Sequence, residues 1–123
     1  MNDDSILGSI KKALNIPEDV DAFDQDLIMH INSVFSVLNQ LGVGPDSVYQ
    51  IQNGDNEWSE FMTSSEIAMV KTYMYLKIRM LFDPPSGSVS SSFEQMISEY
   101  EWRMNVADDQ RLYGGDSDDS IRG

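Results

Sequence analysis

Apolar positions recur at spacings of three and four along four stretches of the chain, each bounded by residues that start or stop helices. In the first, from about Ser5 to Leu14, the residues Ile6, Leu7, Ile10 and Leu14 share a face; Asp4 or Ser5 is placed to accept the free N–H groups of the first turn, and Pro17 to end it. An acidic connector, EDVDAFD, leads to a second helix over Asp24 to Leu41, with Asp24 as its expected N-cap. Its stripe is Leu27, Ile28, Ile31, Val34, Phe35, Leu38 and Leu41, its opposite face carries Gln25, Asn32, Ser36, Asn39 and Gln40, and Gly42 supplies the stop.

The helical period then disappears. From Val43 to Met62, turn formers (Gly44-Pro45-Asp46 and Asn53-Gly54-Asp55-Asn56) bracket a short VYQI segment, which predicts a long loop containing at most one strand. Trp58 and Phe61 are expected to pin the far end of that loop to the core. Loops of such length in compact domains tend to be functional or mobile.

Two further helices follow, each preceded by a capping-box pattern: Thr63 to Glu66 before one, Ser91 to Glu94 before the other. The third helix, Ile67 to Phe82, is apolar on two faces. Ile67, Val70, Met74, Ile78 and Leu81 form one stripe and Met69, Tyr73, Leu76 and Met80 a second, which leaves only the sector of Ala68, Lys71, Thr72, Tyr75 and Arg79 for solvent. A helix of this kind needs cover on both sides, and a second subunit is one candidate cover. Asp83-Pro84-Pro85 ends it, because proline disfavours helical geometry in the residue before it and has no N–H to continue the ladder.

The segment SGSVSSS, Ser86 to Ser92, has the composition of a flexible linker and is short enough to fold the fourth helix back as a hairpin. That helix, about Ser92 to Val106, carries Phe93, Met96, Ile97, Tyr100 and Met104 on one stripe, with Glu99 and Arg103 as an acid-before-base i,i+4 pair. Trp102 points away from the stripe, which suits a contact surface better than a core. The expected fold is therefore mostly α: a small bundle of about four helices over residues 1–106, with one long loop and a flexible acidic tail over 107–123.

Charge and composition remove several function classes. Eight basic against 21 acidic residues give a net charge of −13, too little cation for tight phosphate binding by counterion release. The absence of cysteine excludes disulfides and cysteine-based zinc sites. No stretch approaches a membrane span, and MNDDSILGSIKK lacks the pattern of a signal peptide, so a soluble protein is expected. The single His30 lies at the flank of the second-helix stripe without an evident partner, the carboxylates follow no catalytic or calcium-binding spacing, and the eight methionines sit mostly at core positions. No catalytic residue, metal ligand or cofactor site is expected, and the chain does not read as an enzyme.

What remains is assembly. The candidate contact residues are Met69, Tyr73, Leu76, Met80 and Trp102, together with Lys71, Lys77, Arg79 and Arg103, basic groups on the third and fourth helices of an otherwise acidic chain. The order DSILGSIKKALNI, DQDLIMHINSVFSVLNQLGVGP, a WSEF element, VKTYMYLKIRMLFDPPSGSV and SFEQMISEYEWRMNV, over Asp4 to Val106, resembles the small helical head-tail connector (head completion, adaptor) proteins of tailed bacteriophages. The resemblance implies a virion protein made in the bacterial host cytoplasm that forms a homo-oligomeric, dodecameric ring under the portal protein. Such a ring extends the channel for double-stranded DNA and offers a docking surface to the next neck or tail-completion protein; no membrane is involved. It transfers no residue-level motif, so the contact residues rest on the helical wheels alone. The rival reading is an acidic helical adaptor or DNA-mimicking inhibitor that occupies a basic protein groove.

Overall fold

The computed structural model describes residues 4–113, with side chains through residue 106. Five helices follow one another: α1 (Ile6–Ala13), α2 (Asp24–Gln40), α3 (Trp58–Phe61), α4 (Ile67–Phe82) and α5 (Gly87–Tyr113). The packing is serial, with α1 on α2, α2 on α4 and α4 on α5. None of the described helices is long and apolar enough to cross a membrane.

The expected stripes build the core. Ile6, Leu7 and Ile10 of α1 meet Leu27, Ile31, Val34, Phe35 and Leu38 of α2, and Val70, Met74 and Ile78 of α4 close the other side, all buried. Ser5 caps α1 as expected, its Oγ accepting from the Gly8 N–H at 3.0 Å. The stop differs from expectation. Asn15, at φ 62°, ends α1 ahead of Pro17: the Ile16 N–H reaches the Lys11 carbonyl (2.8 Å) and the Asn15 N–H the Lys12 carbonyl (3.1 Å), the double bond pattern of a left-handed helix end.

Asp24 is not the N-cap of α2. Phe23 takes that position, and Asp24 joins Asp26 in the first turn, where both still face the positive end of the helix dipole. The displacement has a cause in Lys11, whose side chain is 1% exposed and whose Nζ lies 2.9 Å from the Asp24 carboxylate. The same ammonium donates to the Glu18 carbonyl at 3.2 Å, so one buried cation ties the end of α1 to the connector and to the start of α2.

The long loop forms no strand among the described residues; its order comes from side chains of α2. Asn32 accepts from the Ile51 N–H (2.8 Å) and donates to the Ile51 carbonyl (3.1 Å), doing for one buried residue what a neighbouring strand would do. Asn39 reaches the carbonyls of Pro45 and Asp46. At Gly44, φ 94° is a conformation that side-chain-bearing residues adopt with strain, and the Phe61 ring occupies the space a Cβ would need. The WSEF element is the one-turn α3, and it pins the loop as expected: Trp58 and Phe61 are buried, and Phe61 packs against Phe35 and Tyr49.

Trp58 also holds the N-terminal segment. Its indole N–H donates to Ser9 Oγ (2.8 Å), its backbone N–H to the Asp4 carbonyl (2.9 Å), and the Ile6 N–H returns to the Asn56 carbonyl (3.0 Å) around an isolated antiparallel bridge between Ser5 and Glu57.

The two capping boxes do not form. α4 begins at Ile67 as expected, but from a turn in which the Ile67 N–H bonds the Ser64 carbonyl, and Glu66 makes no side-chain cap bond. The Ser91–Glu94 pattern lies inside α5, which starts at Gly87 and takes in most of the expected linker. Serine is a middling helix former rather than a breaker, and Gly87, at φ 63°, lets the chain reverse directly after Pro84-Pro85. At its far end α5 continues past Val106 to Tyr113, so the first part of the expected tail is helical and its remainder lies outside the described residues.

Truncating Trp58 to alanine removes a buried ring, its bond to Ser9 and the anchor of both the loop and the N-terminal segment. The expected loss is about 3–5 kcal/mol of unfolding free energy, read from urea denaturation.

Candidate assembly surface

The second stripe of α4 is covered by α5 of the same chain. Tyr73 is fully buried (0% exposed) and Leu76 nearly so (2%), while Met69 and Met80 are half-buried. Tyr73 and Leu76, expected as anchors between subunits, are therefore core residues with no surface left to offer. The reason lies in α5, whose Phe93, Ile97, Tyr100 and Met104 form a long enough stripe to cover that face. The Tyr73 hydroxyl donates to Glu101 Oε2 at 2.7 Å across the hairpin. Burial first, and the adjacent Glu101 carboxylate second, push the phenol well above the ordinary tyrosine range, so the hydroxyl stays a donor at any physiological pH.

Three of the four basic residues also find partners inside the chain. Lys77 Nζ lies 3.8 Å from Glu101, and Arg103 bonds Glu99 at 2.8 Å one turn earlier. Arg79 donates to the Asp83 carbonyl and to the Tyr75 hydroxyl, and its guanidinium stacks 5.9 Å from the Phe93 ring centroid. Lys71 is exposed, its ammonium 5.6 Å from the Trp58 ring. The expected role of these groups in intersubunit pairing thus meets a prior set of intrachain contacts, although exposed pairs are worth only about 0–1 kcal/mol each and exchange readily.

Trp102 stands where the wheel put it. It is 67% exposed on α5, the largest apolar side chain left uncovered among the described residues. One turn before it, Ser98 joins Lys77, Met80, Leu81, Glu94, Ile97 and Glu101 in lining a groove of about 340 Å³ between α4 and α5. Leu81, assigned by its spacing to the first stripe, is 55% exposed because it lies at the end of α4; Met96, assigned to the α5 stripe, is 39% exposed, and Val89, placed in the linker, 50%. These three complete the uncovered apolar surface of the hairpin. Met96 sits one residue from the buried Ile97, at the edge of the stripe, and that edge position was the available signal for its exposure.

His30 is half-buried on α2, and among the described residues no group of three or more His, Cys, Asp or Glu side chains could hold a metal ion. The exposed apolar residues of the hairpin are edged with charges, among them Lys77, Arg79 and Arg103, which have partners within the chain.

The positions separate experimentally. Tyr73→Ala opens a core cavity and leaves Glu101 without its donor, and is expected to cost about 3–5 kcal/mol in chemical denaturation. Trp102→Ala is expected to change stability by less than about 0.5 kcal/mol with an unaltered circular dichroism spectrum.

Comparison with curated proteins and with solved structures returned no significant match. The family of phage connector proteins matches residues 6–111, from the first turn of α1 almost to the end of α5. That span takes in α1 to α4 and nearly all of α5, and the chain therefore belongs to the phage connector protein family, whose members serve as structural components of the virion.

Proposed function

We propose that the protein is a head-tail connector subunit that assembles as a dodecameric ring beneath the portal protein, extends the DNA channel, and presents a docking surface to the next neck or tail-completion protein. The observation that carries this reading is the α4/α5 hairpin of a connector-family chain, which leaves Leu81, Met96 and Trp102 exposed on a rigid, otherwise satisfied scaffold. Isolated exposed apolar residues are ordinary on a soluble protein, but a tryptophan beside an apolar groove has the composition of a contact hot spot. Met80 and Trp102 are its proposed anchors, with Met69, Lys71, Arg79 and Arg103 at the margins. The family match favours this role over an inhibitor that mimics DNA.

The charge fits passage of DNA rather than capture. A net −13 per subunit is multiplied on assembly, so a ring repels the phosphate backbone except where a few basic groups face inward.

Electron micrographs of the protein mixed with the portal protein of the same phage should show a second ring coaxial with the portal. Trp102→Ala should reduce the proportion of such complexes at least tenfold. Free duplex should bind the assembled ring no more tightly than micromolar at physiological salt. A protein that stays monomeric with the portal present, or that binds duplex at submicromolar concentration, would overturn the proposal.

A further inference from the structure

The long loop lies along α2 and runs antiparallel to it. Three contacts fix its course: Asn39 donates to the carbonyls of Pro45 and Asp46, the Phe35 ring meets Tyr49 edge-on with centroids 5.1 Å apart, and Asn32 takes both backbone groups of Ile51. Tyr49 and Ile51 pack inward, which leaves Val48, Gln50 and Gln52 exposed on the outside. On the helix beside them Met29, Ser33, Ser36 and Gln40 recur at spacings of four, three and four, opposite the buried Leu27, Ile31, Val34 and Leu38. Helix and loop together present one panel, roughly 16 Å long from Met29 to Gln40.

This panel is almost free of charge. Asp46 is the one Asp, Glu, Lys or Arg among residues 27–54, in a chain with 8 basic and 21 acidic residues. Each of the other helices carries charged side chains, and α2 itself has Asp24 and Asp26 only in its first turn. Asp26 and Asp46 therefore mark the two ends of the panel. Ser33, at its middle, stands about 10 Å along the helix axis from Asp26 and about 9 Å from Asn39, which holds the Asp46 carbonyl.

We infer that the outer face of α2 and the loop along it form a contact surface for a second copy of the chain. This rests on the ring reading and adds to it a surface apart from the hairpin. A net charge of −13 on each copy opposes close approach, and at physiological salt the repulsion is screened over about 8 Å. The panel lets a neighbour come near while the carboxylates of this copy stay at the panel's edges. A cationic partner would gain more from the acidic connector over residues 18–24 and nothing from a neutral face, so the missing charge matters to a partner as acidic as the chain itself. Depletion of charge at the centre of a patch, rather than bulk hydrophobicity, is also what sets protein interfaces apart from other surface. Met29, 66% exposed, and Val48, 44% exposed, supply apolar contact within it.

Ser33→Glu places one carboxylate at the middle of the panel, and Ser65→Glu places the same charge on an exposed turn outside it. Circular dichroism should show both folded. Counted in electron micrographs with the portal protein present, rings should fall at least tenfold with Ser33→Glu and stay at the wild-type level with Ser65→Glu. The identity of the neighbour is read by cross-linking. The chain has no cysteine, so the thiol of Gln50→Cys, at the edge of the panel, is unique. Labelled in the assembled ring with benzophenone maleimide and irradiated, it should give an adduct of twice the chain's mass on a denaturing gel. Rings that form equally well with Ser33→Glu, an equal loss with Ser65→Glu, or an adduct with the portal protein in place of a second copy would overturn the panel assignment while the ring reading stands. A wild-type protein that forms no ring, alone or on its portal, would overturn both.

Discussion

Helix α4 is apolar on two faces, and everything around it follows from the need to keep both out of water within a short chain. α2 takes the face of Val70, Met74 and Ile78, and α5 takes the face of Tyr73 and Leu76. Each such side chain contributes roughly 1.5–3 kcal/mol on burial, so leaving a face bare would forfeit a large part of a small protein's stability. The cover is bought from α5, which spends its apolar stripe on α4 and has little left for anything else. That is why the hairpin's remaining apolar residues occur at its flanks and ends: Leu81 beyond the reach of α2, Met96 beside the stripe, and Trp102 on the side of α5 away from α4. The exposed apolar surface of the hairpin is what folding of the chain leaves over.

The rest of the chain is held by polar groups placed inside. Lys11 is the clearest case, because an ammonium withdrawn from water is tolerated only when a carboxylate and a carbonyl meet it, as Asp24 and Glu18 do. Asn32 and Trp58 act similarly on the long loop, each satisfying backbone or side-chain groups that would otherwise be buried without partners. At the loop's outer edge Glu60 accepts from the Tyr49 hydroxyl and from Asn56. The Tyr49 bond first, and the Asn56 bond second, hold its carboxyl below the ordinary glutamate range. The loop's contribution to stability through this carboxylate is complete above that range and is lost as pH falls through the depressed value.

Charge sets the terms on which copies of this chain can meet. Bringing acidic subunits together is opposed by long-range repulsion, which salt screens over roughly 8–10 Å, while short-range apolar contact is insensitive to that screening. In the ring proposed above, exposed apolar residues such as Leu81, Met96 and Trp102 would therefore supply most of the attraction. In the proposed ring the same repulsion would serve the channel, since a duplex passing through it would meet few cations to hold it.

The helical class, the stripes of α1, α2 and α4, the pinning of the loop by Trp58 and Phe61, and the exposure of Trp102 were all legible in the sequence. All but the pinning, which rests on two large aromatic residues at the end of a polar loop, are consequences of periodicity, which depends only on which residues follow one another. The partner of each stripe was not legible, because a wheel shows that a face is apolar without showing which helix covers it. Tyr73 and Leu76 thus looked like surface for a second subunit until α5 was seen to cover them. The two unused capping boxes, the early start of α5 at Gly87 and the enclosure of Lys11 have the same origin. Local motifs compete with alternatives of similar energy, and tertiary contacts worth several kcal/mol decide between them. The groove between Lys77, Leu81, Glu94 and Glu101 likewise exists only once α4 and α5 are set side by side, since it joins residues more than ten positions apart into one surface.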